Sequence, residues 1–283
     1  MVSIEVENKV DVATSHERKV VRAPEHLSDP AQTLSEMGFV ASTYDGVIVI
    51  SGGAAAMQEG SDLNSKIKTV LESLFPGKAV FHGGTDSGIM AIANGAITTL
   101  RESSAGITVG SFGVSPEIHV EPHFGPTEDG KYHLGDQVDG ELLVQSDVTG
   151  EWGNWGNETG AMYQVIDGAT KNLPSVAIVC NGGGITLNGV FANMDQGRPM
   201  IILEGSGRAA DEIARIINSD DSQPVDAKLH DKFSQKYNSG EKKGLFTVVD
   251  VKSMTEQDIA TVIQAKLAEQ KNTQADSVQF TRQ

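Results

Sequence analysis

The sequence predicts an α/β protein with a Rossmann-like, doubly wound, mostly parallel sheet flanked by helices. Three observations carry this. Short β-branched runs alternate with helix-length segments from residue 46 onward. The runs are apolar throughout, as strands buried on both faces are. Four of them end in glycine clusters, and an open parallel sheet gathers its ligand loops at the carboxyl ends of its strands.

The strand runs are 46-GVIVI-50, 78-KAVF-81, 107-ITVG-110, 141-ELLVQ-145, 175-SVAIVC-180, 199-PMIIL-203 and 245-LFTVV-249. Helices are expected between and after them, over 59–74, 86–101, 157–172, 187–196, 207–218 and 254–270. Strand, helix and parallel strand in that order imply right-handed crossovers. Residues 1–38 mix charges with scattered valines and read as an extended N-terminal arm with one strand. Residues 39–270 form a single α/β domain, and 271–283, which has no period, a flexible tail. Two segments break the rhythm. Residues 112–140 are rich in Gly, Pro, His and acidic residues and read as a long loop or small excursion, of a length that is often functional. Residues 219–243 read as a polar insertion.

Of 283 residues 39% are hydrophobic, enough for a sizeable core. Asp plus Glu number 38 against 22 Lys plus Arg, a net charge of −16 that repels nucleic acid and anionic lipid. Neither is expected as a partner. An anionic ligand must then be held by local geometry. The single cysteine, Cys180, excludes an internal disulfide and a multi-cysteine metal site, and its apolar neighbours point to a buried, inert thiol. The N-terminus has no signal-peptide core and no run is long enough to span a membrane, so a cytoplasmic protein is expected.

The glycine clusters are 51-SGGAAAM-57, 82-HGGTDSGIM-90, 181-NGGGITLNG-189 and 204-EGSGRAADEIA-214. A tight strand-to-helix turn wants glycine, but glycine also lets a ligand approach the backbone at a helix N-terminus, which suits phosphate. Four such ends on one sheet edge favour a phosphorylated ligand. The candidate contacts are Gly52, Gly53, Gly83, Gly84 and Thr85 from the first two loops. Gly182, Gly183, Gly184 and Thr186 come from the third, and Gly205, Ser206, Gly207 and Arg208 from the fourth. Arg208 is either a clamp on a phosphate or a partner of Asp211 or Glu212. No GxxxxGK[ST] and no GxGxxG is present, which argues against a P-loop NTPase and an ordinary NAD-dependent dehydrogenase.

Asp147 and Glu158 follow the strand at 141–145 and are candidates to bind ribose hydroxyls; Glu158 also suits a helix N-terminus. They are the best carboxylates for any catalysis. Trp152 and Trp155 either stack on a base or pack their loop. His119, His123 and His133 share the irregular segment with Glu121, Glu128, Asp129 and Asp136, but their spacing fits no zinc motif, so no metal is expected. Neither Ser51 nor Ser206 lies in a GxSxG.

The stretches 83-GGTDSGIM-90, 141-ELLVQSD-147, 153-GNWGNE-158 and 204-EGSGRAAD-211 resemble the SLOG superfamily. The nearest branch is the LSDAT type, found in prokaryotic proteins and in the cytosolic N-terminal region of melastatin-type TRP channels. The resemblance covers about residues 40–270. It implies a Rossmann-like fold and a bound nucleotide of ADP-ribose or NAD-derived type, with no other cofactor required. A sister branch, the lysine-decarboxylase-like phosphoribohydrolases, carries PGGxGTxxE with a catalytic glutamate. Here Thr186 is kept, but Asn181 replaces the proline, Ile185 the inner glycine and Gly189 the glutamate. The chain is therefore expected to hold a nucleotide as a sensor, signalling through a separate effector protein. The alternatives are a nucleotide or NAD-type N-glycosidic hydrolase and a homo-oligomeric scaffold with a degenerate ligand site.

Overall fold

Val47 and Val49 face one side of a parallel sheet and Ile48 and Ile50 the other, and all four are buried. This two-sided burial explains the unbroken apolar run. The computed structural model describes residues 4–11, 16–53, 57, 61–103, 106–122, 131–149, 154–220, 224, 226–239 and 242–280, with 272–280 as backbone only. In chain order its elements are β1 (Glu5–Val10), β2 (Glu17–Pro24), α1 (Pro30–Glu36), β3 (Gly46–Gly52), α2 (Asp62–Leu74), β4 (Lys78–His82), α3 (Gly88–Ser103) and β5 (Gly110–Pro116). Then come β6 (Val120–Glu121), β7 (Tyr132–His133), β8 (Gly140–Gln145), α4 (Thr159–Thr170), β9 (Ser175–Cys180), α5 (Gly184–Asp195) and β10 (Met200–Glu204). The chain continues through α6 (Arg208–Ile217), α7 (Ala227–Asn238), β11 (Phe246–Asp250) and α8 (Glu256–Phe280).

Nine strands form one sheet in the order β1-β2-β8-β5-β4-β3-β9-β10-β11. Every pairing is parallel except β1 with β2 at the edge. Helices α1, α4, α5, α6 and α7 pack on one face with Val49, Phe81, Val179 and Ile202. Helices α2, α3 and α8 cover the other with Ile48, Val80, Ile178 and Leu203. The two layers bear out the Rossmann-like expectation. No helix among the described residues is long and apolar enough to cross a membrane.

Several expectations change. The N-terminal segment contributes two strands and a helix, and β2 pairs with β8 from Lys19 to Pro24. Its charge hid this, because the partners lie far away in sequence. Arg18 is fully buried and its guanidinium donates to the carbonyls of Pro122, Gly135 and Val138. The strand expected at 107–110 begins at Gly110 and runs to Pro116, taking in residues read as loop. Gly113 belongs in that strand because a Cβ there would overlap the Glu141 carboxyl. The polar insertion holds α7, capped by Asp226 and anchored by buried Leu229, Phe233 and Tyr237, a four-residue spacing that marks one helix face.

Candidate functional site

The winding of the sheet reverses at one place. β4, β5 and β8 lie to one side of β3, and β9, β10 and β11 to the other. The helices following β3 and β9 leave for opposite faces, which opens a crevice at the carboxyl edge between them. A cavity of about 380 Å³ occupies it. Gly52 and Gly53 line it from β3, Gly83 and Thr85 from β4, and Gly183, Gly184 and Thr186 from the start of α5. Glu158 and Arg208 are its charged lining residues among those described.

The third glycine loop presents an open helix end. Gly183 precedes α5 with no side-chain cap on the helix, and the N–H groups of Gly184 and Ile185 have no partner among the described residues. Gly183 itself donates to Thr186 Oγ1 at 3.3 Å. Arg208 lies over this loop: a Cβ on Gly183 would come within 3.0 Å of Arg208 Nη2. The Arg208 side chain is exposed and forms no ion pair with a described residue. Its backbone has φ +47°, a left-handed conformation that costs a side-chain-bearing residue about 1–2 kcal/mol. Asp211 and Glu212, its expected alternative partners, are engaged elsewhere. Asp211 accepts from the N–H groups of Gly205 (2.7 Å) and Gly207 (3.1 Å), and Glu212 pairs with Arg215.

The fourth loop is closed rather than open. Two N–H groups of its first helical turn, at Ala209 and Ala210, donate to the carbonyls of Gly182 and Asn181. Ser206 Oγ accepts from Asn181 N and donates to Leu203 O. Gly205, Ser206, Gly207 and Gly182 thus brace the third loop from behind and do not line the cavity. Gly84 also turns away. Its N–H donates to His82 Nδ1 at 3.0 Å, and at φ +74° a Cβ would sit 2.5 Å from both Ser115 Oγ and Glu141 Oε1. Because His82 Nδ1 accepts, its Nε2–H donates to Ser111 Oγ at 2.9 Å. Burial pushes this imidazole down to about 4, so it stays neutral.

Glu158 immediately precedes α4 and lines the cavity, and its Oε2 accepts from Gly156 N–H at 2.7 Å. Burial pushes its carboxyl up to about 7, and the backbone hydrogen bonds only partly oppose this. Glu158 thus stands both at a helix N-terminus and in the cavity wall. Asp147 does not join it. It is exposed beyond the end of β8, three strands from β3, or about 14 Å across the sheet. Trp155 lines the cavity with one face stacked on His119, at 4.7 Å between centroids, and Tyr132 edge-on at 5.4 Å. Packing and a cavity position are thus combined in one tryptophan. Trp152, His123, Glu128 and Asp129 lie outside the described residues. No cluster of potential metal ligands exists among those described.

Sequence reasoning missed Tyr163. It follows Thr159 and Met162 at helical spacing on the cavity face of α4, so projecting the 157–172 helix from Glu158 would have found it. Tyr163 also explains Gly189. A Cβ at 189 would lie 2.8 Å from Tyr163 Oη and 3.0 Å from Ser51 Oγ. Two hydroxyls therefore crowd the space beside position 189.

The fold and cavity together define a Rossmann-like α/β domain with a ligand-sized site at its switch point. The family model described as "SLOG in TRPM, prokaryote" matches residues 45–260, most of the chain, and the protein belongs to that family.

Proposed function

We propose that the protein binds a nucleotide of ADP-ribose type, with its phosphates on the N-terminus of α5 and under Arg208. The observation that carries this is a helix end without a side-chain cap beneath an arginine that has no ion pair among the described residues, both at the same glycine loop. Backbone N–H groups and the helix dipole favour an anion there, and a guanidinium adds a charge-assisted fork. A chain of net charge −16 gains such a site only from local geometry. Without the glutamate at 189, binding rather than cleavage is the principal role, with output passed to another chain. Isothermal titration with ADP-ribose, cyclic ADP-ribose, NAD and AMP tests this. Binding of at least one, weakened by Arg208→Ala, is expected; silence across the panel overturns it.

Glu158 favours a second reading. A buried carboxyl held near neutrality in a cavity wall suits general acid–base work. In an N-glycosidic hydrolysis, water would add to C1′ as the bond to the base breaks, with Glu158 taking one proton of the water; nicotinamide would leave NAD as a neutral base, and adenine leaving AMP would take a proton from solvent. Incubation with AMP and NAD, monitored for released base, tests this. Release that is lost in Glu158→Gln while binding persists would make the protein a hydrolase.

A further inference from the structure

The nine-stranded sheet has one edge whose sequence is complementary to itself. β1 pairs with β2 alone, so its other side is a free edge of the sheet among the described residues. Two hydrogen bonds fix which groups that edge presents. The register that sets Val10 opposite Glu17 continues with Asp11 N–H donating to His16 O at 2.9 Å. On β2, Lys19 N–H donates away from β1, to Asp139 O at 2.8 Å. Along an antiparallel pair, successive residues bond alternately toward the partner strand and away from it. Glu5, Glu7 and Lys9 therefore bond to β2, while Val6, Asn8 and Val10 turn their N–H and C=O groups outward.

The side chains are ordered symmetrically about Asn8, as Val6-Glu7-Asn8-Lys9-Val10. Val6 and Val10 are 46% and 54% exposed on one face. Glu7 and Lys9 share the other, where Lys9 Nζ pairs with Glu7 Oε1 at 2.5 Å and Arg22 Nη1 with Glu7 Oε2 at 3.3 Å. A second copy related by a two-fold axis at Asn8 sets Val6 opposite Val10, Asn8 opposite Asn8 and Glu7 opposite Lys9. This register uses all the outward groups from Val6 to Val10, about six hydrogen bonds. It also covers the exposed valines of both copies and places opposite charges at the closest cross-strand positions. An axis at Glu7 or at Lys9 would instead set like charges face to face. An axis between two residues would oppose an outward-facing residue to an inward-facing one and break the ladder. Edge strands commonly resist pairing with a proline, a bulge or a lysine. Glu5–Val10 has no proline and pairs with β2 without a break, and its lysine meets a glutamate in the self-pairing.

We propose that β1 is a homodimerisation edge. Two copies join antiparallel through Val6–Val10 about a two-fold axis at Asn8, making one sheet continuous across both. The inference is independent of the cavity and its ligand.

The test is sedimentation velocity of the full chain over a concentration series reaching about 100 μM, above the micromolar range of weak specific contacts. Physiological salt screens the net charge of −16 beyond about 8 Å. A reversible monomer–dimer equilibrium is expected. Asn8→Pro removes the N–H on the axis, which β2 does not use, so the strand keeps its place in the sheet. This variant should dimerise at least tenfold more weakly while its urea midpoint stays near that of wild type. Lys9→Glu or Glu7→Lys alone sets like charges opposite each other and should weaken the dimer about tenfold. In the second variant Arg22 keeps Glu117, at 2.6 Å. An equimolar mixture of the two restores opposite charges across the axis and should associate as wild type does, a recovery that no folding defect imitates. Wild-type protein that stays monomeric throughout overturns the proposal. A folded Asn8→Pro variant that dimerises as tightly as wild type overturns it as well, as does a mixture that associates no better than its components.

Discussion

Replacing Glu141 with glutamine should remove most of the loss of stability that the protein suffers as pH rises from acid to mildly alkaline. Glu141 is fully buried in β8 beneath the turn at Gly83 and Gly84, and neither carboxyl oxygen has a well-formed hydrogen-bond partner among the described residues. The Ser115 hydroxyl beside it donates to the Gly83 carbonyl. Burial pushes the carboxyl from 4.5 up to about 8, and the opposing pulls of Ser115 and the Arg18 charge are smaller. The folded state therefore keeps a proton that the unfolded chain releases. The stability linked to it is fully present below 4.5 and is lost as pH rises through about 8. A shift of that size corresponds to about 5 kcal/mol, as much as the whole stability of a marginal domain. Glu141→Gln keeps the shape and removes the titration. Urea unfolding at a series of pH values between these limits gives the free-energy difference between variant and wild type. That difference should grow in the variant's favour by several kcal/mol. Glu158, raised to about 7 by burial, tilts stability the same way, and His82, lowered to about 4 by burial, tilts it the opposite way. Both residues are common to the two proteins and cancel in the comparison. Parallel stability curves across the window would refute a buried, protonated Glu141.

Two further predictions concern Arg208 and Cys180. Arg208→Gly relieves the backbone at φ +47° and should raise stability by up to about 1 kcal/mol, read by urea unfolding, while lowering ADP-ribose affinity at least tenfold. A variant that binds as well as wild type would remove Arg208 from the site. Cys180 is fully buried and its thiol is pushed up to about 12 by burial, so it should resist a thiol reagent in the folded protein and react at once in urea. Rapid reaction of the native protein would contradict that burial.

Much of the fold was legible because its signal is local. The apolar runs of β3, β9 and β10 announce strands buried on two faces, and the glycines at their ends announce the carboxyl edge. The pattern fails where packing depends on distant partners. β2 reads as a charged arm until carbonyls more than a hundred residues away accept its arginine. β5 reads as loop until the Glu141 carboxyl is seen to need the space left by Gly113. Within the site, the glycines of all four loops looked equivalent. The structure separates them by where their N–H groups go. Gly205 and Gly207 satisfy Asp211, Gly84 satisfies His82, and the end of α5 faces the cavity unpartnered among the described residues.

The sequence alone determined the α/β class, the glycine loops at the carboxyl edge, and the absence of a glutamate at 189, because composition, periodicity and residue identity are properties of the chain itself. Only the tertiary structure decided which glycines are open, that Asp147 stands about 14 Å from the switch point while Glu158 enters the cavity, and that Tyr163 and Ser51 fill the space beside Gly189. Those outcomes turn on strand order and on hydrogen-bond partners far apart in sequence, and neither is written in local spacing.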